Sequence, residues 1–304
     1  MDGINGILNI LKPPGMTSFD VVAYLRGLLG IRKIGHAGTL DPLAVGVLTV
    51  CVGNATGAIE FLMDKDKHYR AELTLGIATD TQDSTGEILY TAVPGCSDEE
   101  IKTAISSFAG KYHQTPPMYS ALRVDGKRLY ELARDGIEVE RQSREVEIYS
   151  VRVLDIDRVD GVKVLFDVHC SKGTYIRTLC ADIGERLGCG GHMSFLLRKR
   201  AGSFNLSAAY ELEELAQMQK EKTLQNALIN VESAFDGLPG YVLDKDSDRK
   251  FRNGMHVAVK NGAFLNSAAL VRVYGTNKQF IALGTIKNSE DGTYLKVKKF
   301  FYIH

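Results

Sequence analysis

Residues 35–46 read Gly-His-Ala-Gly-Thr-Leu-Asp-Pro-Leu-Ala-Val-Gly, and residues 45–52 run on as Val-Gly-Val-Leu-Thr-Val-Cys-Val. The second part is an apolar, β-branched run of strand length, which predicts a strand buried on both faces. The first part is a loop holding one carboxylate, Asp41, between glycine-rich arms. Gly35, Gly38 and Gly46 admit backbone conformations or close approaches that a Cβ would block. Pro42 fixes its own φ and biases Asp41 toward an extended conformation. The stretch thus predicts an acid held stiffly where a loop enters a rigid sheet, a good place to position one reactive group. On spacing alone, a turn whose aspartate caps nearby amides also explains it.

Working outward, Ile4–Leu11 reads as an apolar strand closed by Lys12-Pro-Pro-Gly15. Thr17-Ser-Phe-Asp20 matches a capping box, and Val21, Val22, Leu25, Leu28 and Leu29 follow at helical spacing until Gly30. Ala55–Met63 reads as a short helix. Lys67–Leu75 alternates, with Tyr69, Ala71, Leu73 and Leu75 on one face, and predicts a half-buried strand. Gly76–Gly86 is a polar loop whose acids, Asp80 and Asp83, lack calcium-loop spacing. Ser97–Glu100 is a second capping box and opens a helix running to about Ala109.

Gly110–Tyr130 interleaves Tyr112, Tyr119 and Tyr130 with Lys111, Arg123, Lys127 and Arg128. Aromatic faces that stack on bases, mixed with cations that meet phosphates, suit RNA. A loop followed by a helix, Leu129–Arg134 capped by Gly136, is the plainer reading. Arg144–Val159 and Val162–Cys170 alternate around Asp160-Gly161, a hairpin signal. Lys172-Gly173 reads as a turn with Thr174 capping a helix to about Leu187. Within that helix Arg177 offers a planar guanidinium able to hold a carboxylate in two bonds. Ser207–Leu228 looks helical with a solvated face. A boundary falls near Gly237-Leu-Pro-Gly240, beyond which the charge turns basic: residues 248–304 hold ten Lys/Arg against three Asp/Glu. Short alternating strands there predict a small β domain.

The length of 304 residues suits one large and one small domain. The net charge of zero offers no whole-chain hint of nucleic acid. No apolar run reaches membrane-spanning length, and the N-terminus lacks the pattern of a signal peptide. Five cysteines, odd in number and without C-x-x-C, argue against a disulfide frame or a zinc site. The seven histidines form no ligand-spaced pair, so no metal is expected.

The run GHAGTLDPLAVGVL closely resembles the signature of the TruB-type tRNA pseudouridine synthases. KPPGMTS, K-x-Y at Lys67–Tyr69, G-x-x-T-D-T-x-D, GTYIRTL and GCGGHMSFLLRKR resemble further family motifs, in the family's order. The resemblance implies an α+β fold: a large mixed β-sheet catalytic domain flanked by helices over residues 1–238. A thumb-like RNA-binding insertion would occupy about 110–144, and a small C-terminal β-rich, PUA-like RNA-binding domain 239–304. Asp41 would be the catalytic carboxylate, kept ionised and oriented by an ion pair with Arg177. Tyr69 would lie against the target base and help remove its C5 proton. His36 would fill the space the flipped base vacates or stack on a neighbour, Tyr175 would wall the pocket, and Leu196, or else Leu197, would lie under the base.

Turning uridine into its C-glycoside breaks N1–C1′, rotates the uracil and joins C5 to C1′. No redox change occurs, so no cofactor is expected. Attack by Asp41 on C1′, attack on C6, and proton abstraction from the ribose all remain open. The implied partner is the T-arm of tRNA, with uridine 55 as target. The expected protein is a cytoplasmic monomer that needs no protein partner and no membrane. A guide-RNA-dependent pseudouridine synthase shares a similar loop, and an RNA-binding or tRNA-folding protein without catalysis is the rival from another class.

Overall fold

Two kinds of strand in the sequence become two ends of one sheet. The computed structural model describes residues 4–120, 122–124, 126–259, 270–289 and 292–302. In chain order the strands are β1 (Gly6–Lys12), β2 (Ile34–His36), β3 (Val45–Val52), β4 (Lys67–Leu75), β5 (Ile77–Thr79), β6 (Ile88–Thr91), β7 (Gly110–Gln114), β8 (Arg123–Val124), β9 (Lys127–Arg128), β10 (Arg144–Asp157), β11 (Val162–Cys170), β12 (Gly191–Ala201), β13 (Phe204–Asn205), β14 (Gly240–Val242), β15 (Val257–Ala258), β16 (Val271–Tyr274), β17 (Phe280–Ser289) and β18 (Gly292–Phe300). The α-helices are α1 (Ser18–Leu29), α2 (Ile59–Met63), α3 (Asp98–Ser106), α4 (Leu129–Arg134), α5 (Ile176–Arg186), α6 (Leu212–Lys220) and α7 (Lys245–Arg252).

The main sheet runs β1-β3-β12-β4-β11-β10-β7, with β2 paired to β3 and β13 to β12. β12 runs parallel to β3 and antiparallel to β4, so the sheet is mixed. At the β1–β3 end both faces are covered. Leu8, Ile10, Leu48 and Val50 meet Val21 and Leu25 of α1 and Leu212 and Leu215 of α6. Ile7, Val47 and Cys51 pack the other way, among Ala55, Phe235, Phe280 and Phe301. Val45–Val52 is therefore apolar without alternation. Around β4 and β11, Tyr69, Ala71, Leu73, Val164 and Phe166 meet Ile101 of α3 and Ile176 and Leu179 of α5. The opposite face carries His68, Arg70, Glu72, Asp167 and His169, all half-buried, which is why these strands alternate.

Both capping boxes form. The Thr17 hydroxyl accepts from Asp20 N at 3.0 Å while Asp20 accepts from Thr17 N at 2.8 Å, and Gly30 closes the helix at φ 66°. Such a cap contributes about 1 kcal/mol.

Three local expectations change. Gly110–Gln114 is no loop but the sheet's edge strand β7, because its backbone pairs with β10 from Arg144 to Ile148. Thr174 does not cap α5; its hydroxyl turns back to Ser171 O at 3.0 Å and Tyr175 occupies the cap without a side-chain bond. Ser207–Leu228 is not one helix. Tyr210 pairs its backbone with β1, donating to Asn9 O at 2.9 Å and accepting from Leu11 N at 2.8 Å, so only α6 is α-helical between short 3₁₀ turns.

A second sheet, β14-β16-β17-β18-β15, lies in the basic C-terminal stretch. Leu243, Phe251, Val271, Val273 and Leu295 form its own core. Phe280, Leu283 and Phe301 instead join Phe235 and Ala58, so this sheet is packed onto the first through a shared apolar cluster.

Candidate active site

The loop between β2 and β3 is held from three sides by buried cations. Lys12, fully buried at the end of β1, donates to Pro13 O and to Pro42 O, each at 2.9 Å, and also to Met16 O. Burial pushes its ammonium down to about 8, against the pull of nearby Asp41. Arg198 of β12, 1% exposed, donates to Val47 O at 2.6 Å, Gly38 O at 3.1 Å and Thr39 O at 3.2 Å. Ser18 of α1 adds a bond from Leu40 N at 2.9 Å. A carbonyl cannot leave a buried cation without leaving it unsatisfied, so the loop is rigid for electrostatic as well as steric reasons. Gly46 shows the closeness involved: at φ 108° its Cβ would stand 2.3 Å from Arg198 O.

The third cation is Arg177, the second residue of α5. Its Nε lies 3.0 Å from Asp41 Oδ2 and its Nη2 donates to Asp41 Oδ1 at 3.2 Å. The expected ion pair is therefore present, in two-bond form. The Asp41 carbonyl accepts from Ala44 N at 3.1 Å, but among the described residues its carboxylate accepts from no backbone amide, so the loop turns there without the side chain capping it. Arg177 also donates to Tyr119 O at 2.8 Å and Thr81 O at 3.2 Å, and lies 3.6 Å from Asp83 Oδ2. One guanidinium thus ties together the loop before β3, the polar loop after β5 and the segment after β7.

Asp41 keeps 32% of its side-chain surface accessible, whereas Arg177 keeps 7%. The carboxylate is open on one side and crowded by protein on the others. Crowding raises its pKa above the ordinary carboxylate value; Arg177 is the main opposing influence, and Asp83 adds a smaller push upward.

Tyr69 is buried on β4, facing the same cluster as Leu40, Ala44 and Leu196. Burial raises its phenol, and the charge of Arg198, its register partner on β12, is the main opposing influence. Leu196 stands opposite Ala71, 7% exposed, while Leu197 is half-buried on the other side of β12. Tyr175 lies two residues before Arg177; its backbone is clamped by the buried Gln114, whose Oε1 accepts from Tyr175 N at 2.8 Å and whose Nε2 donates to Tyr175 O at 3.0 Å. Its ring lies under the Arg144 guanidinium, 5.0 Å from the centroid. His36 sits on β2 opposite Val50, and its buried Nδ1 has no partner. Burial, then Arg198, push its imidazole below the ordinary histidine value. The structure joins Asp41 to Arg177 directly and places Tyr69 and Leu196 in one wall; among the described residues no hydrogen bond or ion pair joins His36 or Tyr175 to Asp41.

Neither Asp83 nor Arg198 was assigned a part in the site from sequence. Asp83 is set by bonds from Thr81 Oγ1 at 2.7 Å and Thr85 N at 2.9 Å, so the T-D-T-x-D run was its signal. Arg198 hides in a basic run, Arg198-Lys199-Arg200, whose other two members are half-exposed.

Among the described residues, one group brings metal-type ligands together: Asp66, His68 and His169, with ligand atoms within 4.8 Å of one another. The fold makes the histidine pair that sequence spacing lacks, since His68 and His169 are cross-strand partners. Arg200 Nη2 lies 2.6 Å from both Asp66 Oδ2 and His68 Nε2, so a guanidinium fills the place of a cation.

Residues 26–176 match the model for the TruB family pseudouridylate synthase N-terminal domain, and residues 177–236 match the tRNA pseudouridylate synthase B C-terminal domain. The chain is 47% identical to the tRNA pseudouridine synthase B of Alkaliphilus oremlandii, over 98% of this chain and 99% of that protein. It is 43% identical to that of Clostridioides difficile, over 98% and 100%. Among solved structures, a chain from a Cbf5-Nop10-Gar1 complex superposes with a TM-score of 0.72 at 28% identity, covering 98% of this chain and 85% of that one. A chain from an H/ACA RNP bound to a substrate RNA containing 2′-deoxyuridine gives 0.71 at 27%, with the same coverage. With the two family matches adjoining and full-length relatives far above 30% identity, the chain belongs to the TruB family of pseudouridylate synthases.

Proposed function

We propose that this protein isomerises uridine 55, in the T-loop of tRNA, to pseudouridine, acting alone and without cofactor or guide RNA. The observation that carries the reading is the two-bond Asp41–Arg177 pair, buried on the arginine side and open on the aspartate side, at the end of a loop stapled by Lys12 and Arg198. Family membership and the full-length bacterial relatives support the reaction class.

Uridine inside a folded loop must leave its stack to be reached. Tyr69 and Leu196 would receive the extruded base, His36 would occupy the space it leaves, and Tyr175 would close the pocket. Asp41, ionised through Arg177, would open the N1–C1′ bond by one of the three routes named above. After rotation, C5 joins C1′ and gives up its proton, and Tyr69 is placed to assist. Asp83 would hold Arg177 from the side away from Asp41. The segment about 110–144 would act as a thumb on the tRNA arm. We place the domain division at residues 1–238 and 239–304, with the second sheet as a PUA-like RNA-binding unit. A monomer in the cytoplasm fits this work. Among the described residues no helix is long and apolar enough to cross a membrane.

The guide-dependent reading rests on the two structural neighbours, but this chain spans 85% of each of them and nearly all of its bacterial relatives. The test is to treat an unmodified tRNA transcript with the purified protein alone and to map pseudouridine. Product at position 55 is expected. Product only after adding a second RNA or a protein would overturn the stand-alone reading, and none at all would leave an RNA-binding protein.

A further inference from the structure

Arg198 is the bulkiest fully buried side chain among the described residues, and no carboxylate pairs with it there. It sits at the crossing of the site's strands. On β12 it faces Gly46 of β3 in parallel register and Tyr69 of β4 in antiparallel register. Its side chain reaches the carbonyls of Gly38, Thr39 and Val47, which bracket the catalytic loop. Its positive charge also acts on the Tyr69 hydroxyl across the β12–β4 pair. A guanidinium has only donors. Facing that charge, the Tyr69 hydroxyl turns its oxygen toward Arg198 and its own hydrogen away. A buried cation without a counter-ion is expensive unless something uses its charge. Lys12, His36, Asp41, Lys67 and Tyr69 all lie within its electrostatic reach.

We propose that Arg198 is the positioning residue that couples Asp41 to Tyr69: it fixes the Gly38–Thr39 arm that carries Asp41 and sets the direction of the Tyr69 hydroxyl. It need not touch the substrate. Its charge favours the ionised form of Asp41 from one side while Arg177 does so from the other. The charged groups facing Asp41 are Arg177 of α5, Asp83 of the polar loop, Lys12 of β1 and Arg198 itself. The inference rests on the reading of the site as that of a pseudouridine synthase.

The test uses the full-length protein and an unmodified tRNA transcript in single-turnover assays across pH, with Arg198→Lys, Arg198→Met, Tyr69→Phe and the double variant Arg198→Lys/Tyr69→Phe. Arg198→Lys keeps the charge but loses the planar fork. It should slow pseudouridine formation about 10-fold or more while half-saturation by tRNA stays within about twofold, as misplacement of reacting groups does. Arg198→Met loses the charge too. Its rate–pH curve should show the acid limb displaced to higher pH, since a positive charge favouring the Asp41 carboxylate is gone. Arg198→Lys should leave that limb in place. In the Tyr69→Phe background the Arg198→Lys effect should shrink, because both act through one hydroxyl.

Wild-type rates in Arg198→Lys with an unmoved limb in Arg198→Met overturn the proposal. So does slowing of both with an unmoved limb and full additivity with Tyr69→Phe, which marks a packing role only. If Arg198→Met does not fold, Arg198→Lys and the double variant decide. A wild-type protein that makes no pseudouridine fails the functional reading instead, and this outcome is read separately from the variants.

Discussion

The two faces of the central sheet carry two carboxylate–cation assemblies that look alike on paper. On one, Asp41 meets Arg177 at 3.0 Å; on the other, Asp66 meets Arg200 and His169, each at 2.6 Å. Their chemistry runs in opposite directions. Crowding by protein outweighs Arg177, and the Asp41 carboxyl is held above its usual range. For Asp66, partial burial is the largest single influence and also pushes upward. The His169 hydrogen bond and the Arg200 charge together overcome it and hold the group low. Distance to a cation therefore does not decide the state of a carboxylate; the balance of desolvation against the hydrogen bonds and charges that favour the ionised form does. A carboxylate disfavoured in its charged form is a candidate for chemistry, so of the two we assign the reaction to Asp41 and a structural part to Asp66.

The comparison breaks most visibly in turnover. Asp41→Asn is nearly isosteric, but an amide cannot serve as nucleophile or base, so single-turnover pseudouridine formation should fall at least about 10³-fold, to background. Asp66→Asn should stay within about twofold. Filter binding should show tRNA retained by both, since affinity comes mainly from phosphate contacts. Equal losses in the two variants, or wild-type turnover by a folded Asp41→Asn protein, would remove Asp41 from the chemistry.

Removing the cations should separate the faces in stability. Arg177→Ala leaves Asp41 and Asp83 without their shared partner in a crowded site and should cost about 3 kcal/mol as well as activity. Arg200→Ala acts on groups that each keep roughly a third of their side-chain surface open and should cost about 1 kcal/mol or less. Denaturant midpoints at constant slope measure both, and a larger loss for Arg200 would reverse the ranking.

Exposed charges on the second sheet are expected to act on a partner rather than on the fold. Lys296 and Lys298 of β18 are exposed. Alanine at either should leave stability alone and lower the log–log slope of tRNA affinity against salt by about one, if it meets a phosphate. An unchanged slope in the double variant would mark the basic surface as incidental.

How far sequence reaches follows the same division. The buried face was legible: Val45–Val52 without alternation and Lys67–Leu75 with it named their places in the sheet, because burial leaves a period in the residues. The Asp41–Arg177 pair, 136 positions apart, was legible through motif resemblance and not through spacing. What escaped depends on register. His68 meets His169, and Arg198 meets both Gly46 and Tyr69, only because β4, β11, β12 and β3 lie side by side. Backbone pairing also overrode helical appearance at Tyr210, where two bonds to β1 break the run between Ser207 and Leu228.

The smallest predicted effect tests the comparison most directly, because the two faces should change stability in opposite senses. Asp41 has a folded-state pKa above its unfolded value. Its ionised form is disfavoured by folding, so above that folded value the group subtracts from stability, and the deficit disappears as pH falls below the unfolded value. Asp66 has a folded-state pKa below its unfolded value. It adds stability above the unfolded value and loses that contribution as pH falls through the folded one. At neutral pH, then, Asp41→Asn should raise the thermal midpoint slightly and Asp66→Asn should lower it slightly. Both differences should close as the pH is taken down to the ordinary aspartate range and below. Arg177 loses one partner in Asp41→Asn but keeps Thr81 O, Tyr119 O and the neighbouring Asp83, so its charge is not stranded. Thermal scans of the two variants and the wild type between pH 3 and 8 measure this. A lower midpoint for Asp41→Asn at neutral pH would mean that Arg177 more than offsets the crowding. Asp41 would then be as comfortable in its charged form as Asp66 on the opposite face.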